Sequence, residues 1–423
     1  MDSYDVVVIG GGPAGLGAAV EAKKQGIEKV LIIERDTESG GILQQCIHNG
    51  FGIHYFNEEL TGPEYAQRFI NMAKEANVDV LLDTIVISLS PDRTIKAMNV
   101  NGVQHIKAKA IILAMGCRER TRGAIAIPGD RPSGIFSAGT AQRYINIEGY
   151  MVGKKVIVLG AGDIGMIMAR RIVLEGGEVI AVLARGSYAK GLTRNIVQCL
   201  DHYNIPLLYN HNIIKISGKE RVERVTVAET DEKKEVIPGT EKEYECDTVL
   251  LSVGLIPENE LSRSAGIEID RRTSGPFVNE SMETSVPGIF ACGNVVHVHD
   301  VVDFVTEESI RAGANAARFV KGELDKGAGE SGYLNALTSG GISYCVPQRI
   351  RPALMPDKLD LFMRVDDVFP KARIVIKNQG KELVGFNKQN LTPGEMIKLN
   401  VKKSIFENAK GDIEISLETG AKP

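Results

Sequence analysis

Two copies of one glycine-rich turn constrain this chain more than any other feature. Val6-Val7-Val8-Ile9-Gly10-Gly11-Gly12-Pro13-Ala14-Gly15 and Val156-Ile157-Val158-Leu159-Gly160-Ala161-Gly162-Asp163-Ile164-Gly165 lie about 150 residues apart. Each runs an apolar strand into GxGxxG and then into a helix start built of small residues, the context in which the motif has a physical mechanism. The first glycine permits a tight turn, the second lets a pyrophosphate approach the backbone, and the third lets helix pack close on strand. The helix N-terminus then offers unpaired N–H groups and partial positive charge to the phosphates. Gly10, Gly12, Pro13, Ala14 and Gly15 are therefore candidate cofactor-binding residues of one cradle, and Gly160, Gly162, Asp163 and Ile164 of the other. Two such turns predict two dinucleotides on one chain.

The second strand of the first copy, Val30 to Ile33, closes with Glu34, which follows Gly10 by 24 residues. An acidic side chain at this place accepts hydrogen bonds from a ribose 2′-hydroxyl. The second copy repeats the plan: a helix through Leu174, a stop at Gly176-Gly177, and a strand from Val179 to Ala184. Two further apolar strands, Ala110 to Met115 and Thr248 to Val253, end in Gly116 and Gly254, where backbone can come close to a cofactor.

With 423 residues the chain has room for two to four domains. Its net charge of −4 gives no basic footprint for nucleic acid. No apolar run approaches the roughly 18 to 20 residues of a membrane-spanning helix. The N-terminus enters its first strand within about five residues, which leaves no room for a cleavable leader. The six cysteines, at 46, 117, 199, 246, 292 and 345, show no CxxC and no even spacing. This argues against a disulfide framework or a four-cysteine metal or iron–sulfur site, and a reducing cytoplasm is expected.

Between the glycine turns, Asp36 to Thr61 is a polar stretch, Pro63 to Asn77 reads as an amphipathic helix, and Val78 to Leu82 and Ile85 to Leu89 as short strands. Pro128 to Gly139 is expected to be a crossover loop, and Glu220 to Glu245 a charged, hairpin-like edge. A helix is expected from about Thr306 to Val320, and a linker over Lys321 to Gly332. Beyond it, alternating runs at Leu359 to Val365, Ala372 to Lys377 and Ile413 to Leu417 suggest a small all-β domain.

Together the two turns, Glu34, the Ala114-Met115-Gly116 strand end and Ala291-Cys292-Gly293-Asn294 resemble the two-dinucleotide-binding-domain flavoproteins, which include thioredoxin and glutathione reductases. The resemblance covers about residues 4 to 325 and implies an α/β fold: two Rossmann-like domains, with the FAD domain (1–121 and 277–325) interrupted by an NAD(P) domain (122–276), and then the β domain (333–423). The implied cofactors are FAD and NAD(H) or NADP(H). Within this group, Gly40 to Gly52, Arg194 to Leu200 and Leu251 to Leu261 resemble the flavoprotein subunits found beside anaerobic-type glycerol-3-phosphate dehydrogenases, with sarcosine oxidase, hydrogen cyanide synthase and dye-linked proline dehydrogenase subunits as more distant relatives. That resemblance implies a subunit transferring electrons between NAD(P) and its partners, a glycerol-3-phosphate dehydrogenase-like flavoprotein and a small cysteine-rich protein.

The resemblance also carries site residues. Gly41, Ile42, Leu43, Gln45 and Cys46 would pass along the ribityl chain and flavin, with Arg35 beside Glu34 and the Val86 backbone near the adenine. Gly293 and Asn294 stand where the family has Gly-Asp, and the helix after Asp303 would point its N-terminus at the flavin. His297, His299, Asp300 and Asp303 are not expected to hold a metal, because the loop follows the Gly-Asn element; one histidine is expected near the flavin's polar edge. Cys46, with His48 the only nearby group to lower its pKa, is a candidate redox thiol. Ala184 lacks the carboxylate that selects NAD, and Arg185 could meet a 2′-phosphate. NADPH, loosely held NADH, and a vestigial or otherwise occupied second site remain open. Two alternatives stand beside electron transfer: a single-cysteine thiol, disulfide or peroxide reductase, and a structural subunit that holds cofactor and is inactive alone.

Overall fold

The computed structural model describes residues 2–324 and 332–419. Most of the linker expected over 321–332 lies outside the described residues. The chain divides into two compact units, Met1–Cys117 with Pro257–Pro423, and Arg118–Ile256. The second unit thus ends before the boundary at 276 expected from the sequence, and the C-terminal strands cluster with the first unit.

In the first unit the strand Asp2–Ile9 lies in the middle of a parallel sheet, between Val30–Ile33 and Gly102–Leu113. Val6 faces Val30 on one side and Ala110 on the other. Asp79–Leu81 and Ile289–Ala291 complete the parallel layer. Val6, Val7 and Val8 are fully buried, as a strand covered on both faces requires, which is why they read as an unbroken apolar run. The strand expected at 110–115 begins earlier, at Gly102, and its first half pairs antiparallel with Thr94–Asn99, which pairs with Ile85–Leu89. The helix Pro13–Lys24 packs against a second helix, Val302–Val320, one turn longer at its start than expected. A capping box starts the helix Gly62–Glu75: Glu64 N–H donates to Thr61 Oγ1, and Thr61 N–H donates to Glu64 Oε2 at 2.8 Å.

The C-terminal segment forms a five-stranded and a three-stranded sheet around their own core, in which Leu361, Met363, Ile374, Phe406 and Ile415 are fully buried. Gln348 Nε2 donates to Asp270 Oδ2 at 3.1 Å. Arg351 Nε donates to Glu280 Oε1 at 2.9 Å and its backbone N–H to Glu280 Oε2 at 2.8 Å.

The second unit has a five-stranded parallel sheet in the order Ile135–Ser137, Thr248–Leu251, Lys155–Leu159, Glu178–Ala184, Leu207–Tyr209. His211–Ser217, Arg224–Glu229 and Lys242–Glu245 form a separate antiparallel sheet, so the charged stretch is paired rather than merely hairpin-like. The expected crossover loop is only partly a loop: Ile135–Ser137 is a strand, and Ala138 starts a helix to Asn146. Ala138, Ala141, Gln142 and Ile145 form its buried stripe, a helical spacing hidden among small and polar residues.

The Arg351–Glu280 pair is buried on both sides, so removing the cation strands a carboxylate without water. Arg351→Met is expected to lower the unfolding free energy by about 3–5 kcal/mol, read from the urea midpoint; a loss inside the scatter of ordinary surface variants would show that the pair does not hold these strands.

Candidate functional site

The first cradle is made by backbone geometry. Gly10 has φ +105°, and a Cβ there would collide with the carbonyl oxygen of Ala114 on the neighbouring strand; one at Gly15 would collide with Gly10 O. Both clashes rule out any larger residue. Gly12 differs: its φ is −75°, and an added Cβ would meet nothing nearer than Gly41 Cα at 3.9 Å. The open side of the turn is therefore at Gly12, where the helix begins with Pro13 and has neither a side-chain cap nor an acidic residue in its first turn. The helix's own first turn thus supplies no carboxylate to its N–H groups.

Glu34 is buried at the end of the adjacent strand. Its Oε2 accepts from Gly11 N–H at 2.6 Å and its Oε1 from Asp36 N–H at 2.8 Å, and each oxygen retains a lone pair for a ribose hydroxyl. Thr84 N–H donates to Glu34 O at 2.9 Å, which brings the strand bearing Val86 to this end of the sheet. Arg35 turns away to an exposed ion pair with Glu258 at 3.1 Å. The loop after Glu34 folds back over the turn: Gly40 N–H donates to Gly11 O at 2.8 Å, and a short 3-10 turn spans Gly41–Gln45. Ile42 is exposed, whereas Leu43, Gln45 and Cys46 are buried.

Cys46 is buried in this loop. Burial pushes its thiol up to about 12, and the His48 ring packs on Phe51 with centroids 5.1 Å apart. A nucleophilic thiol needs the opposite shift. Burial and the raised thiol both oppose the redox role expected of Cys46.

The Gly293-Asn294 element lies behind the cradle. Asn294 Oδ1 accepts from His299 N–H at 3.0 Å, and its Nδ2 donates to Cys117 Sγ at 3.5 Å, so its amide is engaged within the protein. Gly293 N–H donates to Glu308 Oε1 at 2.6 Å. His297 and His299 do not line an open edge: they are buried with Glu308, against Tyr344 and Phe362. Burial pushes His297 down to about 4, so it is neutral at pH 7. Burial pushes the Glu308 carboxyl up, but the two imidazoles outweigh it and hold it below the usual carboxylate range. The helix beginning at Val302 carries a fully buried carboxylate in its first turn: Asp303 Oδ1 accepts from Tyr55 N–H at 3.3 Å, and Oδ2 has no hydrogen-bond partner among the described residues.

The second cradle repeats the first. Gly160 has φ +107°, and its missing Cβ would strike Ser252 O, as Gly10 meets Ala114 O. Ser252 Oγ also accepts from Gly165 N–H at 3.2 Å. Lys190 and Gly191 N–H both donate to Ala161 O at 3.0 Å, the counterpart of Gly40 over Gly11. Asp163 Oδ1 accepts from Leu192 N–H at 2.8 Å and from Asn195 Nδ2 at 2.6 Å. Ile164 is half-buried on the same helix and Ala184 is buried. Arg185 is exposed and donates to Lys234 O at 3.0 Å. Gly254, at φ +103°, accepts from Arg120 N–H at 3.0 Å, and Gly116 in the first unit accepts from Glu258 N–H at 3.0 Å.

The family model for pyridine nucleotide-disulphide oxidoreductases matches residues 4–318. The chain belongs to that family. Among its relatives, the CoA-dependent NAD(P)H sulfur oxidoreductase of Pyrococcus abyssi is 29% identical, over 70% of this chain and 64% of its own length. An opine oxidase subunit of Agrobacterium tumefaciens is 28% identical, over 69% of this chain and 61% of its own. The chain thus spans under two thirds of these two relatives. The thioredoxin reductase structure from T. acidophilum has a TM-score of 0.60 at 24% identity, covers 76% of this chain and 99% of its own, and shares the fold.

Pyridine nucleotide-disulphide oxidoreductases bind FAD and NAD(P)H. The first unit fits FAD on three counts: the open cradle at Gly12, the spare lone pairs of Glu34, and the unpartnered buried acceptor Asp303 Oδ2. Sequence reasoning missed Glu308 and Tyr55, whose only signal is their place in the fold. Because a methyl at Gly12 displaces no protein atom, Gly12→Ala is expected to unfold as the unsubstituted chain does in the apo form and to retain FAD at least tenfold more weakly, by about 1.4 kcal/mol or more. Equal FAD stoichiometry and affinity in the two proteins would remove Gly12 from the cradle. With its thiol near 12, Cys46 ionises to about 1 part in 10,000 at pH 8. Mass mapping after iodoacetamide at pH 8 is expected to find Cys46 unmodified in the native chain and modified in urea; native labelling would refute its burial.

Proposed function

We propose that this chain moves a hydride between NAD(P)H and FAD and exchanges the electrons with a partner subunit, in a complex of the glycerol-3-phosphate dehydrogenase type. The observation that carries this reading is the combination of two equally built cradles with a buried, unactivated Cys46. A thiol-disulfide cycle needs a thiolate within the protein, whereas hydride transfer between nucleotides does not. The kinship with opine oxidase, whose matching chain is one subunit of that enzyme, favours the multisubunit setting. The single-cysteine reductase is the weaker reading, because burial drives the Cys46 thiol away from ionisation.

FAD, when bound, supplies an acceptor for the hydride. The chain's part is to hold and aim: the Gly12 turn takes a pyrophosphate, Glu34 fixes a ribose, and the Gly162 turn takes the second pyrophosphate. No side chain has to give or take a proton in a hydride step, so a catalytic carboxylate pair is not required. NADPH ranks ahead of NADH: Ala184 has no carboxylate to accept from a 2′-hydroxyl, and Arg185 is exposed with N–H donors beyond the one on Lys234 O.

The test is anaerobic mixing of the FAD-loaded chain with each nucleotide, followed at the flavin absorption band. NADPH is expected to bleach the band with a second-order rate roughly tenfold above that of NADH, and Arg185→Ala to remove that difference, about 1.4 kcal/mol. No bleaching by either nucleotide would end the hydride-transfer reading. Co-purification with a glycerol-3-phosphate-oxidising flavoprotein is the expected result for the partner; an active chain that purifies alone from its own cells would end that part.

A further inference from the structure

The loop between Asn294 and the helix Val302–Val320 returns two histidines to one carboxylate on that helix. His297 Nε2 lies 3.0 Å from Glu308 Oε2, and His299 Nε2 lies 3.5 Å from Glu308 Oε1. All three side chains are about 1% exposed. One ligand atom from each falls within 4.8 Å of the others. A first-row dication with bonds of roughly 2.0–2.1 Å to imidazole and carboxylate sets neighbouring tetrahedral ligands roughly 3.3 Å apart. The two measured separations bracket that edge.

A hydrogen-bonded network without metal accounts for only part of this arrangement. Gly293 N–H and His297 serve Glu308, but neither ring nitrogen of His299 has a hydrogen-bond partner among the described residues, although its side chain is closed from solvent. Its Nε2 is aimed at Glu308 without the geometry of a bond. A buried polar atom left so costs about 1–3 kcal/mol, whereas a metal ion uses that lone pair and neutralises the enclosed carboxylate. Asp300, the charged residue within the loop, is already matched: it accepts from Arg364 and from Met396 N–H, so it pins the C-terminal strands over the loop instead of joining the cluster.

We propose that His297, His299 and Glu308 form a closed binding site for one first-row divalent metal ion, with Zn2+ as the expected occupant. Two imidazoles and one carboxylate are borderline donors suited to Zn2+ and its neighbours, and unsuited to Ca2+ or Mg2+, which take oxygen. On binding, neutral His297 carries its one ring proton on Nδ1, and the lone pair of Nε2 goes to the metal in place of the hydrogen bond to Glu308. The enclosure by Tyr344 and Phe362 makes the site structural, filled as the chain folds.

The experiment uses the full, untagged chain, produced with Zn2+, Mn2+, Fe2+ and Co2+ in the medium and passed over a chelating resin. Plasma mass spectrometry is expected to count about one dication per chain, and X-ray absorption at that metal's edge to show nitrogen and oxygen neighbours with imidazole scattering. His299→Gln and Glu308→Gln are expected to lower the count at least tenfold, while the exposed His105→Gln leaves it unchanged. Fewer than about 0.1 metal per chain, sulfur in the first shell, or an undiminished count in both variants would overturn the site. Should the variants fail to fold, the count and absorption spectrum of the unsubstituted chain decide alone.

Discussion

The approach of each glycine turn to the strand beside it is the contact on which both nucleotide-type units depend. At Gly10 and Gly160 the backbone takes a positive φ and lies so close to Ala114 O and Ser252 O that no side chain fits. That contact fixes where the strand stops and the helix begins, and so where the uncapped N–H groups point. It also fixes the neighbours: the next strand must end beside the turn, which brings Glu34 to Gly11 N–H in one unit and Ala184 to the same place in the other. The units then differ only in what the surrounding loops add.

Behind the first cradle the dependence runs through Gly293. A Cβ on Gly293 would lie 2.8 Å from the Ala14 Cβ, and Cys292 Sγ lies 3.9 Å from Ala14 O. Gly293 N–H in turn is held by Glu308, and Glu308 by the histidine loop that Arg364 and Phe362 cover. A chain of direct contacts thus links the C-terminal strands to the first turn of the phosphate-binding helix. Burial of Cys292 at this point raises its thiol well above the ordinary range, which suits a small packing atom and no redox role.

How legible each feature is in the sequence follows from how local it is. The glycine turns, the strand Ile85–Leu89 and the C-terminal strands announce themselves through spacing within a few residues, and the structure has them at or within a few residues of the expected positions. Helix Ala138–Asn146 reads as loop because its buried stripe consists largely of Ala and Gln, which carry little hydropathy contrast. Glu308 cannot be grouped with His297 and His299 from sequence, since only the reversal at Val301 and the helical rise bring it back to them. Asp163 reads as a ligand residue because it sits in the second glycine turn; that its Oδ1 also holds Leu192 and Asn195 is a contact across 29 and 32 residues, beyond the reach of local spacing. The state of Cys46 is illegible for a related reason: burial, which raises a thiol's pKa, depends on the whole fold.

The second cradle is built without a carboxylate at Ala184. In the first unit Glu34 has two duties, since it holds Gly11 N–H and Asp36 N–H as well as offering lone pairs outward. If the turn relied on that grip, a unit with Ala184 would loosen. The second turn is held by other means: Lys190 and Gly191 N–H close on Ala161 O, Gly165 N–H is bound by Ser252 Oγ, and Asp163 clamps the following segment at two points. What the substitution removes is the outward-facing acceptor alone, so the consequence falls on which nucleotide is selected and not on whether the cradle is built.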